Sequence, residues 1–150
     1  MHIRQGTRDD IPSLRAIATD AYAQYVEAIG RKPAPMVADF DHHLRNDIIF
    51  VAATEPENLV IGYAVLIEKT DGFWLENIAV ATASGGQGLG TGLIAHIETY
   101  LSGRTDSYQL YTNVKMVRNI GWYERLGFME TRRAVENGFE RVYFRKPLTF

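Results

Sequence analysis

The sequence predicts a mixed fold of the α+β type: a mostly antiparallel central sheet of about six to seven strands flanked by about four helices, in one domain over residues 1–150. Three observations carry this prediction. From Trp74 to Leu101 an apolar strand runs into a turn holding Gly85, Gly86, Gly88, Gly90 and Gly92, and then into an amphipathic helix. Three strand-like runs lie close together before that turn, which makes them an antiparallel meander. Near the C-terminus an Asn137-Gly138 turn joins two further runs, the strongest short-range hairpin signal.

In chain order, His2 to Gly6 is a short first strand. Thr7-Arg8-Asp9-Asp10 resembles a capping box with Asp in place of Glu, and Pro12 fits the first turn of a helix. Ile11, Leu14, Ile17, Ala18, Ala21, Tyr22 and Tyr25 recur at helical spacing, predicting a helix to about Ala28. Gly30 to Pro35 breaks it, and Pro35 opens a shorter helix through Phe40 and Leu44. Ile48–Ala53, Leu59–Glu68 and Phe73–Val80 form the meander. After the glycine turn, Leu89, Leu93, Ile94, Ile97 and Leu101 make one apolar helix face that packs on the sheet. Tyr108 to Asn113 is the next strand; with a helix intervening, it can lie parallel to the strand before the turn. Val117 to Leu126 is a helix ended by Gly127, and Phe128–Ala134 with Phe139–Arg145 is the last hairpin.

Composition narrows the function. The apolar share of 46% and charged share of 23% suit a soluble globular protein, and the start MHIRQGTRDD lacks the apolar segment of a secretory signal, so a cytoplasmic location is expected. No run approaches the length of a membrane span. Cysteine is absent, which excludes disulfides, thiolate nucleophiles and cysteine-based metal sites. A net charge of −2 without a long basic run argues against nucleic acid as a partner. Adjacent His42 and His43 face about 100° apart on a helix and make no metal pair; His2 opens a strand and His96 falls on the exposed side of its helix, so no metal site is expected.

The glycine turn is an anion pocket in outline. Glycines let main chain approach a ligand closely, and a helix starting there aims unpaired N–H groups and its positive dipole end outward. Two known phosphate loops fail the test. A Walker loop would need lysine where Thr91 stands, and a dinucleotide fingerprint would need a third glycine at Thr91 or Leu93.

The element order, together with ENIAV followed by GGQGLGTGL and then NIGWYERLGF, resembles the GNAT superfamily of acyl-CoA-dependent N-acyltransferases over nearly the whole chain. The resemblance implies acetyl-CoA as co-substrate and a primary amine as acceptor: a small molecule, or a peptide N-terminus or lysine. The pyrophosphate of CoA is then expected on the turn formed by Gly85, Gly86, Gln87, Gly88, Gly90 and Thr91, and the pantetheine arm on the main chain of Ile78 and Val80. Two parallel strands are expected to splay for the thioester, with a main-chain N–H near Ile78 holding the oxyanion. The family's usual Arg or Gln three residues before the first of its glycines is Gly85 here, with Gln87 nearby, which implies a looser turn. Relatives often dimerise, and the last hairpin offers strands for that.

Acyl transfer to an amine requires a proton to leave the amine, an oxyanion to be stabilised and the thiolate to be protonated. Tyr123, in the segment YERLGF, matches the family's general acid, and a phenol is protonated at neutral pH. Read by spacing alone it is also a core aromatic alongside Ile120 and Leu126. Asn119, one turn earlier, is either a pantetheine contact or a polar residue at the helix entry; the family's commoner asparagine corresponds to Met116. Strand alternation puts Glu76 on one face with Trp74, Ile78 and Val80, where desolvation would make it a base acting directly or through water; the competing reading is a strand-end Glu paired with a cation. Arg118 and Arg125 flank this helix, as a solvated basic face or as contacts of the 3′-phosphate. The family's acceptor region corresponds to Tyr22, Tyr25, Glu27, Gly30 to Pro35, Asp39, Asp41 and the surroundings of Tyr143. The alternative function is a non-catalytic module that binds and senses acyl-CoA.

Overall fold

The computed structural model describes residues 1–149. Seven strands form one sheet in the order β1-β2-β3-β4-β5-β7-β6. They are β1 (His2–Gln5), β2 (Ile48–Ala53), β3 (Val60–Lys69), β4 (Gly72–Val80), β5 (Ser107–Asn113), β6 (Met129–Glu136) and β7 (Phe139–Pro147). β1 to β4 are antiparallel neighbours, β4 and β5 are parallel, and β7 sits between β5 and the edge strand β6. Asn137 (φ 53°) and Gly138 (φ 80°) close the last hairpin, the left-handed pair that its turn demands.

Period-two alternation on the central strands feeds two hydrophobic layers. Phe50, Ala52, Ala64 and Leu66 meet helix α4 (Leu89–Leu101) through Leu93, Ile94, Ile97 and Leu101, all buried. Their neighbours Ile49, Val51, Tyr63 and Val65 face α1 (Ile11–Tyr22) and α3 (Phe40–Asn46). His96 is half-buried, its ring 4.8 Å edge-on to Phe50, and so is not the solvent-facing residue that helical spacing predicts. No helix among the described residues is long and apolar enough to cross a membrane.

The first helix is shorter than its periodicity predicts. It ends at Tyr22, tightens to a 3-10 turn over Ala23–Tyr25, and resumes as α2 (Val26–Ile29) before Gly30 at φ 87°. Side chains three apart eclipse in 3-10 geometry, and that brings both Tyr22 and Tyr25 inward. The helix expected from Pro35 is likewise two pieces: a 3-10 turn at Ala34–Val37, an extended Ala38, then α3, whose first turn is capped by the Asp39 carboxylate accepting His42 N–H at 3.1 Å. The expected Thr7–Asp10 capping box forms. Asp10 accepts the Thr7 N–H at 2.8 Å, the Thr7 hydroxyl donates to the same carboxylate at 3.2 Å, and Arg4 forks onto it at 2.8 and 3.0 Å.

Candidate active site

The site begins with a strand irregularity. Val65 pairs with Asn77 but Leu66 pairs with Leu75, so Glu76 is an extra residue, a β-bulge in β4. Alternation therefore switches parity there: Leu75 and Ile78 share the α4 layer, whereas Asn77 reaches the α1 side. This corrects the expectation that Trp74, Glu76, Ile78 and Val80 lie on one face. The parallel pairing of β4 with β5 consists of Phe73–Tyr108, Trp74–Gln109 and Leu75–Leu110, and stops at the bulge. β4 stays on β3 and β5 on β7, so the two strands splay apart.

Beyond the bulge one edge of β4 is open. Ala81 N–H bonds to Ile61 O at 2.8 Å, and alternation then turns the main-chain groups of Ile78 and Val80 toward the splay. Tyr22 donates to the Ile78 carbonyl at 2.8 Å and approaches Asn77 Oδ1 at 3.2 Å. The same amide oxygen accepts from Tyr63 at 2.9 Å, while Asn77 Nδ2 donates to Pro35 O at 3.2 Å and ties that loop to the strand.

The glycine turn lies at the outer end. Gly86 (φ 78°) and Gly88 (φ 76°) take left-handed conformations, and Gly88 caps α4. Among the described residues, no acceptor meets the main-chain N–H of Gly86, Gln87, Gly88, Leu89, Gly90 or Thr91. Gly90 is also a packing requirement, because a Cβ there would lie 3.1 Å from Trp122 Cζ2. Together these elements line a cleft of about 520 Å³ that includes Tyr25, Ile78, Val80, Gly85, Gly86, Gly88, Gly90, Thr91, Arg118, Asn119 and Trp122. Gln87 is exposed and is not among the lining residues.

Tyr22, Ile78 and Asn119 also line a second, narrow cavity of about 40 Å³, which continues the cleft inward to Glu76, Tyr111, Tyr123 and Arg141. Tyr123, on α5 (Val117–Arg125), is 6% exposed; burial, with the nearby phenol of Tyr25, pushes its pKa up. The Oε1 of Glu76 accepts the Tyr111 hydroxyl at 3.1 Å, while its Oε2 is buried with no partner among the described residues. Burial, followed by the Glu76 charge, pushes the Tyr111 phenol up to about 12. Asn119 lies against the sulfur of Met116 at 3.7 Å.

The expected acceptor residues divide. Tyr22 and Pro33 to Pro35 line the inner cavity, and Tyr25 lines the outer cleft. Asp41 is engaged by Arg15 at 2.7 Å, Asp39 is the α3 cap, and neither they nor Glu27 and Tyr143 border the inner cavity. Asn77, Tyr111, Phe139 and Arg141 were not foreseeable as site residues. Tyr111 and Arg141 read as ordinary strand positions, and only the bulge and the splay bring them together.

The sequence profile described as Acetyltransferase (GNAT) domain matches residues 45–130, more than half of the chain. No curated protein matches by sequence. Among solved structures, the ribosomal-protein-S18-alanine N-acetyltransferase from Escherichia coli superposes with a TM-score of 0.78 at 20% identity, over 99% of this chain and 94% of that one. A putative streptothricin acetyltransferase from Bacillus anthracis, solved in complex with acetyl coenzyme A, gives 0.65 at 21% identity over 75% and 69%. The IAA acetyltransferase from Bacillus cereus gives 0.69 at 20% identity over 98% and 99%. At these identities the superpositions establish the shared fold, while the profile match establishes the family: this chain belongs to the GNAT acetyltransferases.

Proposed function

We propose that this protein transfers the acetyl group of acetyl-CoA to a primary amine by direct attack. The observation that carries the reading is that the two cavities adjoin, sharing three lining residues. A run of unpaired N–H groups, suited to a diphosphate, opens one end, and a phenol and a carboxylate stand at the other, with Tyr22, Ile78 and Asn119 bordering both. The solved relative that holds acetyl-CoA supports this choice of donor.

In this reading the N–H groups from Gly86 to Thr91 bind the pyrophosphate, with Gln87 contributing through its main chain. The exposed edge at Ile78 and Val80 pairs with the pantetheine arm, and Asn119 borders its path. Glu76 takes the amine proton, directly or through a water, at its unpartnered oxygen. The N–H of Ile78 or a neighbour stabilises the oxyanion. Tyr123 gives a proton to the sulfur as the C–S bond breaks; its raised pKa keeps that proton in place until negative charge develops. No covalent enzyme intermediate is needed. The test is free-thiol release from acetyl-CoA against a broad panel of amines. Amine-dependent release supports the reading, whereas tight CoA binding without release from any amine would make the protein an acyl-CoA-binding module instead.

A further inference from the structure

Two opposite charges stand at the inner cavity, and among the described residues each keeps hydrogen-bonding capacity that the protein does not use. Glu76 keeps one buried oxygen without a partner. Arg141 lines the same cavity, and its side chain is only 12% exposed. Among the described residues its guanidinium makes no hydrogen bond; the nearest carboxylate oxygen, on Glu136, is 3.9 Å away, and the Tyr143 hydroxyl already donates to that oxygen. Arg141 is held by stacking instead, with Cζ 4.4 Å from the Tyr111 ring centroid and 5.7 Å from that of Phe139. A mostly buried guanidinium that bonds to no acceptor of the protein gains from an anion beside it, and its planar fork matches a carboxylate.

Tyr111 joins the two charges: its hydroxyl donates to Glu76 and its ring carries Arg141. The cavity between them, about 40 Å³, holds room for about three water molecules. On the side facing α2, Arg31 stacks over Phe139 at 3.5 Å and donates to the Asn137 carbonyl, so the Gly30–Pro33 loop is pinned to the last hairpin beside this cavity.

We infer that the acceptor is a small primary amine that also carries a carboxylate, a free amino acid or a close analogue. Its amine meets Glu76 and its carboxylate meets Arg141. Arg141 is then a specificity-determining residue that takes no part in proton transfer. This rests on the transferase reading above and selects among its acceptors. A peptide N-terminus has an amide in place of the carboxylate and leaves Arg141 unanswered.

The experiment compares matched acceptors with acetyl-CoA in the thiol-release assay: free amino acids, their carboxamides and their decarboxylated amines. For the best side chain, the free acid is expected to exceed both partners in kcat/KM by about ten- to a hundredfold, the range of a charge-assisted hydrogen-bonded pair. Arg141→Gln should raise KM for the free acid by a similar factor and bring the acid-to-carboxamide ratio close to one, and Arg141→Lys should recover part of that ratio. Carboxamides or decarboxylated amines turned over as well as the acids would overturn this inference while leaving the transferase reading intact. Absence of release with every class of amine would instead overturn the transferase reading, and this inference with it. If Arg141→Gln does not fold, the acid-to-carboxamide ratio of the unaltered protein decides alone.

Discussion

Tyr123→Phe separates chemistry from structure with unusual clarity in this site. The phenol is buried at the inner cavity, and no hydrogen bond to it exists among the described residues; burial and the nearby Tyr25 account for its raised pKa. Removing the hydroxyl therefore strands no partner, and the ring keeps its contacts with Phe128 and Phe144. Stability should change by no more than about 0.5 kcal/mol, the scale of a substitution that breaks no buried pair. If Tyr123 protonates the leaving sulfur, kcat should fall by about 10²- to 10⁴-fold, equivalent to about 2.7–5.4 kcal/mol in the barrier. Affinity for CoA should hold. Steady-state thiol release, CoA titration by calorimetry and a melting curve on the same preparation supply the three readouts. A kcat within threefold of the unaltered protein, measured with chemistry rate-limiting, would refute Tyr123 as the acid. A melting temperature lowered by many degrees would refute the claim that its hydroxyl is structurally idle.

Four further outcomes are expected. Glu76→Gln keeps the shape and the Tyr111 contact but removes the base, so kcat should drop about 10²- to 10⁴-fold with little change in CoA binding, measured by the same release assay. Gly88→Ala meets no atom within 4 Å but must hold φ 76°, a strain of about 1–2 kcal/mol; if the turn relaxes by turning its N–H groups away, CoA affinity measured by calorimetry weakens about tenfold. Leu93→Ala, at a fully buried position on α4, should lower unfolding free energy by about 2–5 kcal/mol in urea titrations. The phenols of Tyr22, Tyr63, Tyr108, Tyr111 and Tyr123 are all pushed above their ordinary value of 10, mainly by burial. Below pH 10 both folded and unfolded states keep these protons. Above it the unfolded chain loses them first, so unfolding free energy should decline from pH 10 upward by about 1.4 kcal/mol per pH unit for each such tyrosine, with melting temperature falling alongside.

Much of the architecture was legible because it is periodic. Leu89, Leu93, Ile94, Ile97 and Leu101 announce their face at helical spacing, and Asn137-Gly138 announces its turn by backbone chemistry. The parallel placement of β5 followed from the intervening helix alone. What failed was local geometry without a compositional mark. Nothing in WLENIAV signals that Glu76 is surplus to the ladder, so alternation assigned it the wrong neighbours. The continuous apolar spacing of the first helix likewise conceals the tightening after Tyr22. Glu76 and Tyr123 were identifiable as candidates through the family resemblance, and the turn through its glycines. Arg141 and Tyr111 were not, because residues on strands separated by a helix and another strand reveal their proximity only once the register is known.

The surplus residue in β4 has a consequence for how this molecule tolerates change. Phe73, Leu75, Ile78 and Ala79 of that strand are committed to one hydrophobic layer or the other, so altering them disturbs packing. Glu76 pairs with no residue of β3 and borders the cavity and Tyr111. Exchanging its side chain should therefore retune reactivity at little structural penalty, and excising the residue would leave Val65–Asn77 and Leu66–Leu75 as consecutive pairs, so both layers would keep their faces while the irregularity at which β4 parts from β5 would be lost. The extra position thus serves the cleft and its chemistry rather than the core.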